Sequence, residues 1–122
     1  MPDASPERAL PPDVVNRLIR EFSQGLEARL QALRTTLADL EAHGTVATRE
    51  VFFHTAHSLK GTAAAYEATE LIEPAAALAE LGRGWFRGEP IHRDGLNSAS
   101  QYLATLTRAV DAFRARVPGE NA

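Results

Sequence analysis

At 122 residues, 44% hydrophobic and 24% charged, with a formal net charge of -3, the chain has the make-up of one globular domain with a single core. The acidic balance argues against a general nucleic-acid binder, and a chain without cysteine has no disulfide, no thiol nucleophile and no zinc-thiolate site. No apolar run is long enough for a membrane, and Met1-Pro2-Asp3-Ala4-Ser5-Pro6-Glu7 lacks the layout of a signal peptide, so the expectation is a monomer in the reducing cytoplasm.

Residues 1–12 hold four prolines (Pro2, Pro6, Pro11 and Pro12) and no apolar period, and read as a flexible lead-in. From Asp13 the pattern changes. Val15, Ile19, Phe22, Leu26, Leu33, Leu37 and Leu40 step mainly by three, four or seven, with Leu18 and Leu30 widening the stripe. That spacing predicts an amphipathic helix over 13–42, with Asp13 as N-cap and Gly44 as its stop. A second helix starts near Thr45 to Thr48 and turns Phe52, Ala56, Leu59, Ala63 and Tyr66 inward.

A third helix is predicted over 69–86, with Leu71, Ala75, Leu78, Leu81 and Trp85 inward. Pro74 fits such a helix only in the first turn or at a kink. Gly82, Gly84, Gly88 and Pro90 mark the following link. A last helix over 94–117 carries Leu96, Ala99, Leu103, Leu106, Val110, Phe113 and Val117, and Pro118 and Gly119 end it. No segment alternates with period two. The expected fold is all-α: an antiparallel up-down-up-down four-helix bundle over 13–117, followed by a tail at 118–122.

Among the thirteen Lys and Arg residues only Lys60 is a lysine, and it stands three residues after His57 and directly before Gly61. Residues three and four apart share a helix face. At about 100° per residue the apolar stripe of the second helix centres roughly 140° from His57, so the imidazole is expected to face water. Gly61 costs about 1 kcal/mol relative to alanine inside a helix, which asks for a reason; space beside the imidazole is one. Neutral imidazole is a nucleophile near neutral pH and can attack phosphorus. Lys60 supplies a point charge for phosphoryl oxygens. The chain has no Gly-rich phosphate loop, so donor and acceptor lie elsewhere.

His57-Ser58-Leu59-Lys60-Gly61 resembles the His-x-x-Lys-Gly signature of histidine-containing phosphotransfer (HPt) domains, which also form the N-terminal module of chemotaxis-type histidine kinases. Ala68, Leu71, Leu78, Gly82 and Arg83 also fall where that family's next helix has comparable residues. The resemblance covers about 14–117. It implies that His57 is the phosphoacceptor, that Lys60 steadies the phosphoryl group and that Gly61 makes room. The implied partners are a receiver domain of a response regulator or hybrid kinase, or a kinase catalytic domain. The carrier itself would need no cofactor, and any magnesium would sit in the receiver. Three positions depart from the family pattern: Glu67 stands where a glycine is frequent, Ala65 where a polar residue is frequent, and Pro74 interrupts plain helix.

The outer face of the second helix also carries Glu50, Phe53, His54, Ala64 and Ala68. Phe53, a large apolar residue on a face expected to be wet, forms with His54, Ala64, Ala65 and Ala68 an expected landing site for the partner. His54 and His57 lack the further ligands a metal site needs, so His54 reads as a solvated neighbour. Trp85 and Phe86 are expected to cap the bundle end. The rival reading is a helical interaction module that keeps the bundle without the phosphoryl chemistry.

Overall fold

The computed structural model describes residues 10–119. Four helices account for most of it: α1 (Pro12–Ala42), α2 (Val46–Ala65), α3 (Thr69–Phe86) and α4 (Arg93–Ala115). The all-α expectation holds, and the helix limits fall within two residues of those read from the periodicity; Pro12, read as the end of the lead-in, is already helical. That lead-in and the tail lie largely outside the described residues.

Cross-helix pairs give the direction of each helix. Phe22 near the start of α1 stacks on Tyr66 just past the end of α2, with ring centroids 4.7 Å apart. Near the other end of the pair, Thr48 of α2 donates to Asp39 of α1. Phe52 meets Trp85, Arg116 meets Glu70, and Arg93 meets Glu41. Each pair joins an early residue of one helix to a late residue of its neighbour. Consecutive helices are therefore antiparallel, and α4 closes back on α1.

The core is the set of stripes predicted. Leu26, Leu30, Leu33, Phe52, Ala56, Leu59, Ala63, Leu71, Leu78, Leu106 and Val110 are buried. Burial of such stripes, rather than helix propensity, stabilises helices of this length. The lower end of the α1 stripe differs: Val15 is exposed, because α2 ends before reaching that level. Ser23 is fully buried, and its hydroxyl has no hydrogen-bond partner among the described residues.

The helix ends follow local chemistry. Pro11, not Asp13, is the N-cap residue of α1, and Asp13 lies in the first turn; Pro12 at the first helical position has no N–H to lose. Thr45 caps α2, its hydroxyl accepting from the Thr48 N–H at 3.2 Å. Gly44 follows α1 with φ 63°, as expected of a stop. Pro74 sits in the second turn of α3, not the first, and α3 continues through it with the ring buried.

The α2–α3 link is tighter than expected. Glu67 adopts φ 56°, its N–H donates to Ala64 O at 3.2 Å, and the Ala68 N–H donates to Ala63 O at 2.8 Å. This is the two-bond termination normally built on glycine. It swings Ala68 inward to complete burial, so Ala68 is no part of the outer face of α2 and is not a partner contact.

Between α3 and α4, Arg116 donates to Glu70 through Nε at 3.0 Å and through a terminal nitrogen at 2.6 and 2.8 Å. The Arg116 hydrogen bond holds the Glu70 carboxyl below its ordinary value, with desolvation opposing and a backbone hydrogen bond assisting.

Two predictions follow from these ends. Glu67→Gly is expected to stabilise the fold by roughly 0.5–1 kcal/mol in urea unfolding, because the left-handed conformation costs a side-chain-bearing residue about that much. A lowered carboxyl stabilises the fold above its unfolded-state value and loses that contribution as pH falls through the folded-state value. Arg116→Ala is therefore expected to cost about 0.5–1 kcal/mol near neutral pH, the gap to the parent closing below about pH 4; an unchanged gap in acid would contradict this.

Candidate functional site

The site is one exposed face of α2. His57 and Gly61 are exposed and Lys60 is half-buried, as the periodicity requires once Phe52, Ala56, Leu59 and Ala63 turn to the core. Helical side chains lean toward the N-terminus, so each covers the turn before its own Cα. By that rule Lys60 reaches back over His57, and position 61 is the one whose side chain would lie across the imidazole. That position is glycine, and a Cβ built there meets nothing within 4 Å. No packing among the described residues calls for Gly61. Gly82 is the contrast: a Cβ there would stand 3.0 Å from Phe53 Cα. Lys60 makes no hydrogen bond or ion pair within the described residues, which leaves its charge available.

Behind His57 the face is aromatic. The imidazole and the Phe53 ring have centroids 5.6 Å apart. Phe53 is half-buried rather than free in water. It stacks on Phe86 of α3 at 5.5 Å and lies beneath the Arg83 guanidinium at 5.5 Å. Arg83 in turn stands 3.6 Å from Glu80. His54 is exposed and touches both rings, at 5.1 Å from Phe53 and 5.6 Å from Phe86. Ala64 and Ala65 are exposed about two turns past His57.

Phe86 thus corrects an expectation. It does not cap the bundle end; it is 41% exposed beside Phe53, while Trp85 alone is buried. Phe86 and Arg83 were missed as part of this face. The signal was incomplete: counting outward from Glu67 sets Phe53 level with Leu81 and Gly82, more than a helical turn short of Phe86. On the α1 side a shallow groove of about 340 Å³ is lined by Ala28, Arg29, Ala32, His54, Thr55 and Ser58. Thr62 anchors this side by accepting from Arg29 at 3.3 Å and donating to Ser58 O at 3.0 Å. No three His, Asp or Glu side chains converge among the described residues to hold a metal ion.

The Hpt domain family model matches residues 17–116, the whole bundle but for the start of α1. The chain belongs to the Hpt domain family. Domains of this family are phosphocarriers of phosphorelays rather than enzymes with a nucleotide site, and the four-helix architecture agrees with that membership. No curated protein and no solved structure gives a match. Among the described residues no helix is long and apolar enough to cross a membrane.

Gly61→Ala is expected to raise stability by about 1 kcal/mol in urea unfolding, since the glycine serves no internal contact. Gly61→Leu is expected to slow acylation of His57 by diethyl pyrocarbonate, followed by mass spectrometry. An unchanged His57 rate in Gly61→Leu would show that position 61 does not control access to the ring.

Proposed function

We propose that the chain is a histidine phosphotransfer module that carries a phosphoryl group on His57. The observation that carries the reading is the exposed imidazole with an open glycine where the next turn would otherwise cover it. The donor is a phospho-aspartate of a receiver domain, or a kinase catalytic domain. A neutral ring nitrogen attacks phosphorus, the P–O bond to the aspartyl carboxylate breaks, and a P–N bond forms. The released carboxylate takes the electron pair, and the second ring nitrogen loses its proton to water. Transfer to a receiver aspartate is the same step reversed.

Phosphoryl transfer needs positioning and charge stabilisation more than covalent help. Lys60 offsets the charge of the phosphoryl oxygens, and Gly61 provides the space. The magnesium that such a transfer uses belongs to the receiver, and the carrier binds no cofactor. His54, Ala64 and Ala65, together with the exposed edge of Phe53, flank His57 as the docking face, and the groove along Ala28 and Ala32 extends it toward α1. The module works as a cytoplasmic monomer, away from nucleic acid and membrane.

The test is labelling by a phosphorylated receiver domain. His57→Gln is expected to abolish acid-labile phosphate, while Lys60→Ala slows transfer on the order of tenfold or more without unfolding the bundle. Undiminished acid-labile phosphate in His57→Gln would remove the assignment. Receiver binding without any labelling of the parent would instead favour a plain interaction module.

A further inference from the structure

We infer that Phe53 is a positioning residue for His57, holding the imidazole plane from below; this rests on the phosphoacceptor reading above. An exposed histidine in a helix would ordinarily sample several rotamers. Here the ring leans back over the preceding turn, where Phe53 sits at i−4. The two rings are 5.6 Å apart with an interplanar angle of 33°.

Phe53 is itself fixed. Phe86 stacks on it at an interplanar angle of 18°, and the Arg83 guanidinium lies over it. Its backbone is seated against Gly82, where any Cβ would come to 3.0 Å from Phe53 Cα and 3.1 Å from the Phe52 ring. The platform is therefore built from two helices, and only α2 carries the reacting group. A ring that protruded as a pure docking knob would not be held on three sides by its own chain. An imidazole held in one plane keeps a ring nitrogen aimed outward beside Lys60, and small errors in such aim are costly in rate.

The discriminating donor is phosphoramidate, which is too small to dock. Its phosphoryl group moves to a ring nitrogen as its own P–N bond breaks. The leaving nitrogen departs as ammonium with the proton released by the imidazole, so atoms and charge balance. In the intact chain, Phe53→Leu is expected to slow this labelling on the order of tenfold, with Phe86→Leu intermediate and Phe53→Tyr restoring the parental rate. The unmutated protein supplies a second readout: ring-current fields should shift the His57 ring protons upfield of those of exposed His43 in NMR spectra.

Parental labelling in a folded Phe53→Leu, or a loss seen only with a receiver donor, would overturn the positioning role and leave Phe53 as a docking residue. His57 ring protons coinciding with those of His43 would overturn it as well. Failure of the parent to accept phosphate from any donor would count against the phosphoacceptor reading instead, and the ring-proton shifts would still decide the stacking.

Discussion

The closeness of α2 to α3 governs the rest of this molecule. Gly82 is buried with its missing side chain facing Phe53, and even a methyl there would press on the Phe53 backbone at 3.0 Å. That approach lets Phe52 reach Trp85 in the core and lets Phe53 lie against Phe86 on the surface. Interiors pack at crystal-like density and yield little to added volume. Position 82 therefore sets the spacing of the hairpin, and through Phe53 it sets the floor under His57. Two glycines serve opposite ends: Gly82 permits contact within the chain, and Gly61 preserves an opening to the outside.

The division between a rigid scaffold and an open imidazole follows. His57 projects from the middle of a helix whose opposite face is buried over about three turns, so the backbone carrying it has little freedom. A site on a regular element is held more closely than one on a loop. Arg49 adds to this at the far end, donating to Gly44 O at 2.9 Å, Trp85 O at 2.9 Å and Glu89 O at 3.0 Å. One side chain thereby satisfies carbonyls after α1 and at and beyond the end of α3, which would otherwise go unpaired.

Much of this was legible in the sequence, for a physical reason. The offsets among His57, Lys60 and Gly61 lie within little more than one helical turn, and helix geometry alone then places them on one face. The core stripes were legible in the same way. What escaped were relations between elements. Ala68 read as part of the α2 face because nothing announces that a glutamate, Glu67, takes the left-handed turn that a glycine usually takes. Phe86 read as an end cap because its level against Phe53 depends on where that turn falls. Nothing in the sequence singled out Arg49, since two of its three acceptors, Trp85 O and Glu89 O, are far away in the chain. Pro74 raised an alarm that the buried second turn of α3 absorbs.

The central claim is that a phosphoryl group resides on a His57 ring nitrogen in the open space beside Gly61. The most direct measurement is phosphorus–nitrogen correlation NMR on chain labelled with nitrogen-15 in its histidines and treated with phosphoramidate. The account predicts one phosphorus resonance coupled to a His57 ring nitrogen, with the Gly61 amide among the most shifted. Coupling to His54, His43 or His92 in place of His57, or phosphorus bonded to no histidine nitrogen, would contradict it.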